Sequence, residues 1–236
     1  MEGETDDHPK CLVKLAGAAL LDWQLKAMRG AGVDDIAVVT GYRSDRIDAR
    51  GVVFFHNPRW AETNMVSTLS RAADWLRNDT CLVSYSDIFY TSAAVATLLK
   101  ARGDIVVTYD LEWLDLWSRR FADPLCDAET FRVGDDGGIV DIGRRPESVG
   151  EVEGQYMGLL KFTPEGWSRV ESSLRSLPEK DRDRIDMTSL LKRLIEQGTR
   201  VGAAPVSGGW GEVDTKQDLD LYERMMEKGE IKGFSP

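Results

Sequence analysis

Between Ile36 and Asp110 the chain alternates short apolar runs with stretches of helical spacing, and this alternation limits it to few architectures. Ile36 to Val39 is continuously apolar and ends at Thr40-Gly41-Tyr42. GVVFFHN, CLVSYSDIFY and DIVVTYD follow as further strands, the third running into Asp87 and the last ending at Asp110. LLDWQLKAMRGAG, MVSTLSRAADWL and AVATLLKARG supply the intervening helices, with Asn64 placed to cap the second. Continuous apolar strands separated by helices predict a mostly parallel sheet covered on both faces, an α/β fold. After Asp110 the pattern loosens. ETFRV and GGIVDIG flank Asp135-Asp136-Gly137-Gly138, a hairpin signal, so a partly antiparallel insertion is expected around residues 111–160. Strand GQYMGLLKFT, two amphipathic helices, strand RVGAAPVSG and a closing helix that Thr215 caps complete one domain over 1–236.

The rest of the composition narrows the class. A net charge of −10 disfavours nonspecific binding to nucleic acid or anionic membrane. No apolar run is long enough to span a bilayer, and the polar, acidic start MEGETDDHPK is unlike a signal peptide. The three cysteines are widely spaced, which predicts reduced thiols in a cytoplasmic protein. With only His8 and His56, a multi-histidine metal site or a His-based triad is disfavoured.

Open doubly wound sheets bind ligands at the carboxyl ends of their strands. Tyr42, Asp87, Asp110 and the Gly208 to Asp214 turn all fall at such ends. Asp87 and Asp214 form a plausible split carboxylate pair for Mg²⁺, as in-line phosphoryl or nucleotidyl transfer requires. Each alone reads as a turn or pre-helix aspartate, and Asp218 and Asp220 read as solvated helix residues. Lys10 suits a triphosphate as a point charge, against the bland reading of a surface lysine. Arg144 and Arg145 are a candidate anion clamp or a solvated turn. Asn57, Thr63, Asn64 and Ser67 are placed to read a base edge or acceptor phosphate, or else to cap and turn. Trp113, Trp117 and Tyr156 offer ring faces for a cationic head group, or core.

The ordered segments PKCLVKLAG, LLDWQLKAMRGAGVDDIAVVTGY, NPRWAETNMVSTL, VSYSDIFY, GQYMGLLKF and WGEVDTKQDLD together resemble the MobA-like and sugar-phosphate nucleotidyltransferase superfamily. The likeness is strongest to cytidylyltransferases acting on phosphocholine and on phosphonates. It implies a Rossmann-like three-layer fold and transfer of CMP from CTP, with Mg²⁺, to a small phosphonate resembling phosphonoformate or aminoethylphosphonate, with release of pyrophosphate. Phosphocholine and sugar 1-phosphates are the alternative acceptors, and a noncatalytic nucleotide-binding module is the alternative from another class. Carried over by motif, Asp87 and Asp214 would hold the metal. Lys10, Tyr42, Asn64 and Ser86 would lie at the nucleotide. Asn64, Trp113, Arg144, Glu153 and Tyr156 would face the acceptor. Aromatic faces there would favour a quaternary amine, and an arginine-rich pocket built from Arg119, Arg120, Arg144 or Arg145 would favour a second anionic group. A monomer or homodimer is expected. The family pattern also implies an apolar strand and a GxGxR loop before Pro9-Lys10. Met1-Glu2-Gly3-Glu4 stands at the tail of that loop, so we expect Met1 to be an internal methionine of a longer chain. The alternative is a shortened domain with an unpaired sheet edge.

Overall fold

The computed structural model describes residues 8–234. Residues 1–4, where the sequence places the tail of a glycine loop, lie outside them.

A minimal ribbon of β1 (Lys14–Leu15) and β2 (Ala18–Ala19) leads into α1 (Leu20–Gly30). β3 (Ala37–Thr40) and β4 (Val53–His56) then pair in parallel. The helix expected from Met65 to Leu76 is broken into α2 (Met65–Leu69), a 3-10 turn and α3 (Ala73–Asn78). The single strand expected from Cys81 to Tyr90 also divides, into β5 (Cys81–Ser84) and β6 (Ile88–Tyr90). α4 (Ser92–Lys100), β7 (Ile105–Asp110) and α5 (Trp113–Arg120) follow. The hairpin forms as β8 (Phe131–Val133) and β9 (Ile139–Ile142). The second half comprises β10 (Gln155–Phe162), α6 (Pro164–Arg175), α7 (Glu179–Arg184), α8 (Met187–Glu196), β11 (Gly202–Val206), β12 (Trp210–Glu212) and α9 (Lys216–Glu227).

The main sheet has the order β11-β7-β10-β5. It is mixed rather than mostly parallel: β11 runs parallel to β7, but β10 runs antiparallel to both its neighbours. Burial on both faces explains the misreading, because a strand covered on both sides is continuously apolar whichever way it runs. β10 is buried along its whole length. Since it lies between β7 and β5, the excursion outside the sheet stops before Gln155 and does not extend to 160.

Helices cover both faces. Val106, Met157 and Leu159 join α1, α4 and α9 in one core, while Ile105, Val107, Leu160 and Phe162 join α6, α8 and the β8–β9 hairpin in another. α1 also turns Leu21 and Leu25 toward Ile36 and Val38, beside β3. One edge of β3 and one edge of β5 pair with no strand among the described residues. No helix is long and apolar enough to cross a membrane among the described residues. The three cysteines are free.

β10 carries a register shift between Tyr156 and Leu160. Gly158 sits inside it at φ 74°, and a Cβ there would stand 2.7 Å from the Tyr85 ring. Its carbonyl accepts from Tyr85 N–H at 2.9 Å. The bulge therefore seats Tyr85 against the sheet where β5 ends. Gly158→Ala combines a left-handed backbone with this overlap. It is expected to cost about 1–3 kcal/mol in equilibrium denaturation.

Candidate active site

The break between β5 and β6 creates the site. β6 leaves the main sheet to pair antiparallel with β12, with Glu212 opposite Ile88. One residue beyond this register, Val213 N–H donates to the Asp87 carbonyl at 2.8 Å. Asp87 and Asp214 thus stand at adjoining ends of one short ribbon, although 127 positions separate them in sequence. β12 is itself anchored by Asp110. This buried carboxylate accepts from Gly208 N–H at 2.8 Å and from Trp210 Nε1–H at 2.9 Å. Asp110 is therefore a latch on the turn and not a ligand-facing group. On the far side, Thr215 and Asp218 form a capping box that starts α9 directly after Asp214.

Asp87, Glu212 and Asp214 present carboxylate oxygens that all lie within 4.8 Å of one another. Lys10, at the start of a 3-10 turn, bridges two of them, with Nζ 3.2 Å from Asp87 and 3.0 Å from Asp214. Burial lowers the affinity of Lys10 for its proton, but the two aspartates outweigh that and hold its pKa above the ordinary value. Glu212 is pushed up to about 8, first by burial and then by the negative charge of Asp214 and Asp87. Three converging oxygen donors with a surplus of negative charge suit a hard divalent cation such as Mg²⁺, and these residues fit it.

A second cation stands behind the cluster. The side chain of Arg120, at the end of α5, is fully buried and reaches Asp218 at 2.9 Å, Asp214 at 3.2 Å and Glu212 at 3.7 Å. Its guanidinium lies over Trp117 and Phe121. Burial opposes its charge, while Tyr222, Asp218 and Glu212 outweigh the burial and keep it protonated. Asp218 is buried with it, which corrects the reading of this residue as solvated.

Beyond the carboxylates opens a cleft of about 270 Å³. Tyr156 lines it, together with Tyr85, Gln155, Glu129, Asp186 and Trp210. Other expected residues lie elsewhere. Trp113 is core, its Nε1–H bonded to the Val152 carbonyl at 3.1 Å. Arg144 is held by Asp141 at 2.6 Å beside the hairpin, and Glu153 accepts from Val133 N–H at 2.8 Å. All three are withdrawn as acceptor contacts because local partners consume their polar groups. Asn64 caps α2, accepting from Met65 N–H at 2.7 Å and donating to the Arg184 carbonyl at 3.1 Å; Met65 rather than Asn64 lines the cleft. Tyr42 packs edge-on against Trp60, and Ser86 is exposed beside Asp87. Asn57 is fully buried and donates to Thr63 and Thr68, which makes it a structural hub.

Sequence reasoning missed Glu212 and Gln155, and it offered Arg120 for an acceptor pocket rather than as the partner of Asp214 and Asp218. The period-two spacing of Trp210, Glu212 and Asp214 was a usable signal for Glu212. Nothing local marks Arg120 as the partner of residues about a hundred positions away.

A family model described as a MobA-like NTP transferase domain matches residues 2–140. The chain belongs to this family. It is a nucleotidyltransferase. Over 235 aligned residues it is 34% identical to a CTP:phosphoglutamine cytidylyltransferase of Campylobacter jejuni, covering 92% of each protein. An inositol-1-phosphate CTP transferase structure from T. maritima superposes with a TM-score of 0.73 at 17% identity, covering 95% of this chain and 90% of that one. A CTP:phosphocholine cytidylyltransferase from Streptococcus pneumoniae gives 0.69 at 17%, covering 96% and 93%. These two likenesses establish the nucleotidyltransferase fold.

Two outcomes follow from the charge arrangement. Arg120→Met leaves Asp218 buried without its cation and is expected to destabilise the fold by about 3–5 kcal/mol, read by chemical denaturation. Glu212 binds its proton more tightly folded than unfolded. Its contribution therefore makes metal-free stability fall as pH rises from about 4.5 to about 8. Glu212→Gln lacks that contribution, so its stability relative to the parent is expected to rise with pH across the same window in parallel thermal melts.

Proposed function

We propose that this chain is a Mg²⁺-dependent cytidylyltransferase that transfers CMP from CTP to an oxygen of a small phosphonate or phosphate monoester, releasing pyrophosphate. The observation that carries this reading is the Asp87, Glu212 and Asp214 cluster bridged by Lys10. The support for CTP and a phosphorylated acceptor is the identity to the C. jejuni cytidylyltransferase across nearly the whole chain.

In this account an acceptor oxygen forms a bond to the α-phosphorus while the bond from that phosphorus to the bridging oxygen of the β-phosphate breaks. Pyrophosphate leaves with the electron pair. Mg²⁺, held by Asp87, Asp214 and Glu212, would neutralise phosphate charge and orient the phosphates when bound. The chain's own residues position and balance charge. Lys10, which bridges the two aspartates, would meet phosphate oxygens as a point charge. Arg120 holds Asp214 from behind through an ion pair at 3.2 Å. Tyr42 and Ser86, at the ends of β3 and β5, would border the nucleotide, and Tyr156 the acceptor. No covalent enzyme intermediate is required, and catalysis is orientation with charge neutralisation.

Pyrophosphate release from CTP, with a panel of phosphonates and phosphate monoesters, tests this. Asp87→Ala and Asp214→Ala are each expected to lower kcat about 100-fold or more with an unchanged circular dichroism spectrum. Lys10→Ala is expected to raise KM for CTP about 10-fold. Parent-like rates in both aspartate variants would refute the assignment.

A further inference from the structure

The break between β5 and β6 leaves backbone groups that a continuous strand within the sheet would have paired. Successive carbonyls of a strand point to opposite edges. The Asp87 carbonyl faces β12, where it accepts from Val213 N–H at 2.8 Å. The Ile88 carbonyl therefore faces the other edge of β6, which pairs with no strand among the described residues. Ile88 is buried, so a carbonyl left there without a donor would be costly.

α1 supplies the donor. Leu20, Leu21, Leu25, Ala27 and Met28 make its buried face, and Gln24 stands among them, only 8% exposed. A lone amide in such a stripe is unfavourable unless its hydrogen bonds are made. Gln24 Nε2 donates to the Ile88 carbonyl at 2.6 Å and to the Tyr85 carbonyl at 2.9 Å. Both partners are acceptors only, so the amide nitrogen and not its oxygen must face them. The two carbonyls stand on either side of Ser86-Asp87. One planar amide thus spans the break and takes the place of a neighbouring strand. The Tyr85 carbonyl has a second donor, the Ser84 hydroxyl at 2.9 Å. Trp23, the residue before Gln24, donates from Nε1 to the Leu15 carbonyl at 3.0 Å, which fastens the ribbon that follows Lys10 to the same helix.

We propose that Gln24 is a positioning residue for the cation site: by bridging Tyr85 and Ile88 it holds Asp87 in place beside Asp214 and Glu212. It acts through the backbone of the break and is not itself one of the clustered carboxylates. Val213 N–H holds the Asp87 carbonyl from β12, the Gly158 carbonyl holds Tyr85 N–H from β10, and Gln24 closes the third side from α1. Without the amide, the Ile88 carbonyl would turn toward another donor, and the Asp87 carboxylate at its side would lose its fixed distance to the other two. Groups that orient metal ligands from outside the ligand set typically carry about 10–100-fold in metal affinity or activity. The consequence for catalysis rests on the function proposed above.

Two variants and a control test this. Gln24→Met keeps the length and bulk of the side chain and removes both donors; Gln24→Glu keeps its shape and leaves at most one. Leu194→Ala, in the core on the opposite face of the main sheet, controls for general loss of stability. Amide hydrogen exchange reads the positioning without metal or substrate. In Gln24→Met the Val213 amide is expected to exchange at least about 10-fold faster relative to the amides that pair β7 with β10, and Leu194→Ala is expected to keep the parent ratio. Titration with Mn²⁺ is expected to show about 10-fold weaker binding in both Gln24 variants and parent-like binding in the control. Gln24→Glu provides the test if Gln24→Met does not fold. A Val213 exchange ratio unchanged in the Gln24 variants, or a Mn²⁺ affinity equal to the parent's, would overturn the proposal. A parent that binds no Mn²⁺ and releases no pyrophosphate from CTP would count against the function proposed above, while the exchange ratio would still decide whether Gln24 holds the break.

Discussion

Three carboxylates gathered within 4.8 Å repel one another, and the rest of the site is arranged around that repulsion. Part of it is relieved by protonation, since Glu212 is held up at about 8. Part is relieved by cations. Lys10 is half-exposed and sits between Asp87 and Asp214. Arg120 is fully enclosed and acts from behind, where it cannot be exchanged for a ligand. The contrast sets one exchangeable charge at the mouth and one permanent charge at the base. In the function proposed above, a divalent cation held by these carboxylates would favour the ionised form of Glu212.

The fold supplies this geometry through departures from regularity. A strand continuous from Cys81 to Tyr90 would keep Asp87 within the main sheet. Its division sends Ile88 to Tyr90 to β12 instead, and the Val213 to Asp87 hydrogen bond then fixes both aspartates together. The Gly158 bulge seats Tyr85 at the same break, and Asp110 fastens the turn that leads into β12. These features lie on separate segments, yet all act on one ribbon a few residues long.

The parts legible in sequence are those that depend on local pattern. Apolar runs, helix periodicity and the caps at Asn64 and Thr215 located most elements correctly. Asp87, Asp214 and Lys10, which the structure brings together, are legible as candidates because strand ends and ordered motifs mark them. Strand direction was not legible, since β10 is buried throughout and its orientation depends on the excursion that precedes it. Nor was the division of side chains between cleft and core. Trp113, Arg144 and Glu153 have the right chemistry for an acceptor, but each finds a nearer partner within the fold. Gln155 and Glu129 reach the cleft from a central strand and a loop, a convergence that only the tertiary structure displays.

The account's central claim is that Asp87, Glu212 and Asp214 form a cation site. Titration of Mn²⁺ followed by electron paramagnetic resonance, on the protein without nucleotide, addresses it most directly. We expect loss of the free-ion signal on binding, and loss of that binding in an Asp87→Asn/Asp214→Asn double variant that retains the parent circular dichroism spectrum. Equal Mn²⁺ binding by the parent and the double variant would contradict the account.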